Sequence, residues 1–143
     1  AGLAAAFDER AVSTYISPPF LVQATIAEFI AQGRFEPNLQ RVRSGLRARR
    51  DAMLAALERT FPETATWSRP QGGYFLWLDL GAGDMSALVE RASVAGVALV
   101  RGSDFFPSGS AGGSAARLAF SFESPERIDE GIERLAGLAA TSR

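Results

Sequence analysis

The segment RPQGGYFLWLDL, at residues 69–80, decides the fold class of this chain of 143 residues. Gly72 and Gly73 punctuate the chain, and residues 74–80 are apolar on both alternating faces apart from Asp79. A continuous apolar run of this length is typical of a central β-strand that is covered on both sides. The sequence therefore predicts a sheet with this strand in its interior.

Helical and strand patterns alternate around this segment. Helices are predicted over residues 20–32, 37–59 and 84–95 and from Pro125 onwards, and further short strands over residues 64–67, 97–100 and 117–122. The small residues of SGSAGGSAA, at 108–116, predict a surface loop, and residues 1–18 are expected to be an irregular lead-in. Three or four strands with helices between them predict an α/β or α+β two-layer unit.

The predicted helix over residues 20–32 is apolar around most of its circumference. A helix of this kind needs burial on more than one side, and one small domain rarely supplies that. The pattern therefore predicts a partner surface outside this domain. Because the chain also begins with alanine, we expect it to be part of a longer protein.

The composition excludes several classes of function. All 15 basic residues are arginines, and the chain has no lysine, histidine or cysteine. The chain therefore lacks a Schiff-base amine, a thiol nucleophile, an imidazole proton carrier and soft metal ligands, and no metal site is expected. A net charge of −1 argues against nucleic acids and anionic membranes as direct partners. No apolar run has the length of a membrane span, and the lack of cysteine fits the cytoplasm.

Arg117 is the candidate binding residue. In the predicted strand, period-2 alternation puts Arg117 on one face with two small residues, Ala119 and Ser121, while the apolar side chains Leu118, Phe120 and Phe122 share the other face. The small neighbours leave room for a ligand, whose carboxylate a guanidinium can hold by two parallel hydrogen bonds. On this pattern alone, a solvated or salt-bridged arginine remains the alternative interpretation.

Four segments in a fixed order resemble a known family: RRDAMLAAL, then RPQGGYFLWLDL, then AGVALVRGSDFF, then ARLAFSFESPERIDEGIERLAGL. Together they are similar to the C-terminal small domain of fold-type I, pyridoxal-phosphate-dependent aminotransferases. The resemblance is strongest to the class I/II branch, which includes 2-aminoadipate-type transaminases and the aminotransferase-like halves of MocR-type regulators. It covers residues 19–138.

The resemblance implies a small, mainly antiparallel sheet of three to four strands with helices packed on one face. Residues 1–18 would be a lead-in from a large domain outside this chain, and residues 19–143 would be the small domain. The cofactor, pyridoxal 5'-phosphate, would be held by a lysine of that large domain, and the whole protein would be a cytoplasmic homodimer. Arg117 matches the arginine that binds the α-carboxylate of the amino-acid or 2-oxo-acid substrate, whereas Arg101 stands where the family usually has proline.

Three functions stay open at this point. The chain could be the substrate-binding small domain of a transaminase whose catalytic lysine lies elsewhere. It could instead be the effector-sensing domain of a MocR-type transcription regulator, whose DNA-binding part would lie outside this chain. The third possibility is a non-catalytic module for binding or dimerisation.

Overall fold

The computed structural model describes residues 2–14, 16, 19–107 and 111–141. Its helices are α1 (Gly2–Thr14), α2 (Phe20–Ala31), α3 (Phe35–Thr60), α4 (Met85–Val94) and α5 (Pro125–Ala140). Its strands are β1 (Thr66–Trp67), β2 (Phe75–Asp79), β3 (Val100–Arg101) and β4 (Ala115–Ala119), and a short 3-10 helix, Gly102–Phe105, follows β3. The chain divides into two units, Ala1–Val42 and Arg43–Arg143.

The first unit holds α1, α2 and the start of α3. The expectation of an irregular lead-in was wrong, because residues 2–14 are helical. This segment is rich in alanine and has no proline or internal glycine, so its helix propensity is high. The predicted helix over residues 20–32 is confirmed as α2, which ends at Ala31 and is followed by Gly33 with a φ of +67°. None of its residues is buried, so the predicted need for an outside partner stays a prediction.

The second unit is built on a four-stranded sheet with the order β1-β2-β4-β3. Every neighbouring pair is antiparallel. β4 pairs with β2 along its whole length and with β3 through two residues, Arg117 and Ala116. The predicted fold class, a small antiparallel sheet combined with helices, is confirmed.

One hydrophobic core holds this unit together. It joins one face of the sheet to α3, α4 and α5, and its most deeply buried large side chains are Leu57, Leu76, Leu78, Met85, Phe120 and Leu135. Each such side chain contributes about 1.5–3 kcal/mol by leaving water. The core therefore fixes the sheet from one side only.

The prediction that β2 is covered on both faces was wrong. Leu76 and Leu78 are 2% and 0% exposed, whereas Phe75, on the alternate face, is 42% exposed. The helices of this unit meet the sheet on the Leu76 face, which is the one-sided arrangement that the family resemblance implied. The second apolar face of β2 is thus left open by the helices of this unit.

Two strand boundaries also differ from the prediction. β3 begins only at Val100 and ends at Arg101, not over residues 97–100, and the Val97 amide donates to the Ala92 carbonyl oxygen at the end of α4 instead. β4 begins within the predicted loop, at Ala115, and residues 108–110 of that loop lie outside the described residues. It ends at Ala119, so Phe122 is 86% exposed and does not join the core.

Side-chain caps define where two helices begin, as the sequence predicts. The Asp84 carboxylate accepts hydrogen bonds from the first amides of α4, and the Ser124 hydroxyl accepts one from the Arg127 amide at the start of α5. Hydrogen bonds to Asp129 and then to Glu133 raise the pKa of Arg59 and tie α3 to α5. The caps thus act within their own helices, and the Arg59 contacts link α3 to α5 at the surface.

Gly102 lies where two backbone segments nearly touch. A Cβ atom on Gly102 would lie 2.6 Å from the Gly112 carbonyl oxygen and 2.7 Å from the Ala115 carbonyl oxygen. We expect Gly102→Ala to lower the free energy of unfolding by about 1–3 kcal/mol, because the backbone must move apart. Urea unfolding measures this change.

The matched control is Gly137→Ala in α5, where an added Cβ meets no atom within 4 Å. Alanine is the better helix former, so this variant should be more stable by about 0.5–1 kcal/mol. Equal unfolding midpoints for the two variants would contradict the close packing at Gly102.

Candidate functional site

Arg117 lies at the middle of β4, on the open face of the sheet. Its backbone is paired on both sides, with Trp77 of β2 and with Val100 of β3. Directly paired residues of antiparallel strands point to the same face, so these side chains surround Arg117. The strand register therefore holds the base of this side chain in place.

Two phenylalanine rings contact the guanidinium of Arg117. Its Cζ atom lies 4.0 Å from the centroid of the Phe75 ring and 4.8 Å from the centroid of the Phe105 ring. Phe75 comes from β2 and Phe105 from the 3-10 helix, so two separate elements converge on the group. Trp77 in turn contacts Phe105 edge to face, with the ring centroids 5.7 Å apart.

The guanidinium of Arg117 has no hydrogen-bond acceptor or carboxylate partner among the residues that the structure describes. Asp79 lies on the same face of β2, but its carboxylate accepts from the Gly81 amide at 2.9 Å. Asp104 pairs with Arg101 at 3.6 Å. A half-buried cation with its donors free is suited to bind an anion supplied from outside.

The predicted placement of Arg117 is confirmed in part. Its neighbour Ala119 is exposed and leaves space on the same face, as the alternation indicates. The alternative of a salt-bridged arginine does not hold within the described residues. The pattern missed Phe75 and Phe105, and the only signal for Phe75 was that the segment at 74–80 is apolar on both faces.

A groove of about 1170 Å³ lies elsewhere in the described part of the chain. It runs between the end of α3, α4 and the end of α5, and its lining is mostly alanine and other apolar residues. Its charged residues are engaged with the backbone: Asp84 caps α4, and Arg91 Nη2 donates to the Leu138 carbonyl oxygen at 3.3 Å. The candidate site is therefore the face around Arg117.

Other kinds of site find no support in the described residues. They contain no group of three or more acidic side chains placed to hold a metal ion. None of their helices combines the length and the apolarity needed to cross a bilayer. The Arg117 face is thus kept as the candidate site.

Comparison with known proteins identifies the family of this chain. The model of the aspartate amino-transferase family matches residues 10–141. A 2-aminoadipate transaminase of Thermus thermophilus is 38% identical over 118 residues, which are 82% of this chain and 29% of that protein. An uncharacterised HTH-type transcriptional regulator of Bacillus subtilis, YdfD, is 33% identical over 80% of this chain and 23% of its own length.

A solved structure agrees with these matches. Kynurenine aminotransferase of Pyrococcus horikoshii, in complex with PMP, superposes with a TM-score of 0.89 at 33% identity, over 98% of this chain and 35% of that chain. The chain therefore spans about a third or less of the length of these relatives. Since the family model matches nearly the whole sequence, the chain belongs to the aspartate amino-transferase family, in the class I/II aminotransferases.

Proposed function

We propose that this chain is the substrate-binding small domain of a pyridoxal-phosphate-dependent transaminase, which exchanges an amino group between an amino acid and a 2-oxo acid. The observation that carries the proposal is the Arg117 guanidinium, which is half-buried between two aromatic rings and has no anionic partner in the described residues. Both substrates of such a reaction carry a carboxylate next to the reacting carbon. Arg117 would bind that carboxylate.

The role of this chain is to orient the substrate. A planar guanidinium binds a carboxylate through two parallel hydrogen bonds, which fix both its position and its plane. A substrate that is already held in the reactive geometry loses less translational and rotational entropy on the way to the transition state, and this lowers the activation barrier. Arg117 holds no proton that the reaction needs, so its part is binding and orientation.

The cofactor cannot be anchored by this chain. Its covalent attachment in a transaminase requires a lysine, and the sequence contains none. The residues present therefore do not fit that anchoring role, and the open face at Arg117 does not enclose a reacting group. We infer that the lysine and the remaining walls of the site come from a larger domain of the whole protein.

The domain organisation follows from the same proposal. Residues 19–143 would form the small domain, and residues 1–18 would lead in from the larger domain. The whole protein would be a cytoplasmic homodimer. The relatives support the presence of a further domain, because the matched part is 29% of the Thermus thermophilus transaminase and 35% of the Pyrococcus horikoshii chain.

An amino-group transfer assay on the whole protein tests the proposal. The protein is supplied with pyridoxal 5'-phosphate, an amino acid and a 2-oxo acid, and the new 2-oxo acid is measured by liquid chromatography. We expect product to form in both directions. A whole protein that binds amino acids but transfers no amino group would contradict the enzymatic role.

The similarity to YdfD supports a second candidate function. In a MocR-type regulator, the same Arg117 face would bind the carboxylate of an effector, and a DNA-binding segment would precede the large domain. DNA binding that changes when an amino acid is added would favour the regulator. If the whole protein neither transfers an amino group nor binds DNA, the remaining candidate is a non-catalytic binding or dimerisation module.

A further inference from the structure

We propose that Phe75 and Phe105 are positioning residues, which hold the Arg117 guanidinium in its carboxylate-binding orientation before the substrate arrives. This inference rests on the proposed function, because it assumes that Arg117 binds the substrate carboxylate. It adds two residues that act through Arg117. It also explains why β2 carries apolar residues on its open face.

The contacts come from two directions along the sheet. Phe75 pairs with Ala119, so it is a diagonal neighbour of Arg117 on the same face. Because Ala119 has only a methyl group, the Phe75 ring can extend towards Arg117, whose Cζ lies 4.0 Å from its centroid. Phe105 reaches the same atom from the 3-10 helix, at 4.8 Å.

Aromatic rings are suited to hold a guanidinium without using its donors. A cation over a ring face is attracted by the ring quadrupole, but the ring accepts no strong hydrogen bond in return. A carboxylate in the same place would also fix Arg117, yet it would compete with the substrate carboxylate for the same N–H groups. The rings therefore restrict the side chain and leave its donors for the ligand.

The two rings are themselves held in place. Phe75 is paired with Ala119 in the ladder between β2 and β4. Phe105 packs against Trp77, and the 3-10 helix that carries it begins at Gly102, where the backbone is in close contact with Gly112. The guanidinium is thus supported by parts of the structure that do not depend on the ligand.

The kinetic consequence is a change in substrate binding. Without the rings, the long side chain of Arg117 must lose its rotamer freedom when the carboxylate binds, and this loss weakens binding. The chemical step itself involves neither ring. We therefore expect the Michaelis constant to rise while kcat changes little.

The experiment uses the whole protein with leucine in place of either phenylalanine, one at a time. For Phe75→Leu and Phe105→Leu, we expect KM for the amino acid to rise about threefold to tenfold, because a cation–π contact has this strength. The competitive inhibition constant of butyrate, a carboxylate without an amino group, should rise by the same factor. Phe75→Tyr keeps the ring and should restore both constants.

The control is Phe122→Leu, since Phe122 is 86% exposed and has no ring contact to Arg117. Its KM and the butyrate constant should be those of the unmodified protein. Phe75 and Phe105 are 42% and 45% exposed, so leucine at either position leaves the buried core intact. Circular dichroism of each variant checks that it is folded.

A double-mutant cycle separates positioning from direct substrate contact. If Phe75 acts through Arg117, then Phe75→Leu has no further effect on the butyrate constant in the Arg117→Ala protein. The positioning role would be overturned if Phe75→Leu changed the butyrate constant equally with and without Arg117, or if KM and the butyrate constant were unchanged in the ring variants. Either result would leave the proposed function of Arg117 standing. If Arg117→Ala by itself leaves the butyrate constant unchanged, the proposed function of Arg117 fails as well.

Discussion

Arg117→Ala is expected to raise the Michaelis constant of the whole protein for its amino-acid substrate about 100-fold to 1000-fold. Removing one member of a buried charge pair that is hydrogen-bonded costs about 3–4 kcal/mol, and each 1.4 kcal/mol is a factor of ten. The guanidinium also has no carboxylate partner among the described residues, so its removal leaves none of their carboxylates unpaired. Steady-state kinetics with an amino acid and a 2-oxo acid measure the effect.

Two variants sharpen this prediction. Arg117→Lys keeps a positive charge but loses the planar guanidinium. We therefore expect it to recover at best about a tenth of the substrate affinity that Arg117→Ala loses. Arg127→Ala is the matched control, because Arg127 is exposed and forms an ion pair with Glu123, at 2.7 Å. The absorbance of the bound cofactor should be unchanged in all three proteins. A KM for Arg117→Ala equal to that of Arg127→Ala would refute the assignment.

Phe120→Ala is expected to cause the largest loss of stability. Phe120 is 1% exposed and lies in the core that joins the sheet to three helices. Replacing a buried phenylalanine by alanine costs about 3–5 kcal/mol, which includes the lost transfer free energy and the cavity that remains. A loss of this size is a large fraction of the free energy of unfolding of a small domain. Urea unfolding followed by circular dichroism measures it.

Phe122→Ala tests whether burial is the cause. This residue is two positions further along the chain and 86% exposed, so its replacement should change the free energy of unfolding by less than about 0.5 kcal/mol. The sequence alone places both side chains on one face of a strand, and would predict similar losses. Similar losses in the experiment would mean that β4 continues through Phe122.

Local patterns in the sequence predict most elements of the fold. The boundaries of α2 and the caps at Asp84 and Ser124 follow from signals within a few residues, namely apolar spacing, a glycine stop and side-chain acceptors. The resemblance of four ordered segments predicts the family, which the comparisons confirm. These inferences succeed because each depends on neighbours along the chain.

The errors occurred where a long-range partner decides the outcome. Residues 97–99 have the β-branched and apolar composition of a strand, but the Val97 amide is taken by the end of α4. The ladder between β4 and β2 ends at Ala119 and Phe75, and only one further hydrogen bond among the described residues, from the Phe120 amide to the Tyr74 carbonyl oxygen, continues it. A strand extends only as far as its neighbour does, and this length cannot be read from one segment.

The candidate site likewise has features that the local sequence determines and features that depend on long-range contacts. By itself, the sequence determined that Arg117 stands on a strand face beside small residues, and that no lysine is present to anchor a cofactor. Only the tertiary structure decided that Phe75 and Phe105, 42 and 12 positions away in sequence, meet its guanidinium. The physical reason is that strand alternation is a property of one segment, whereas a contact between side chains depends on strand register and on the packing of the 3-10 helix.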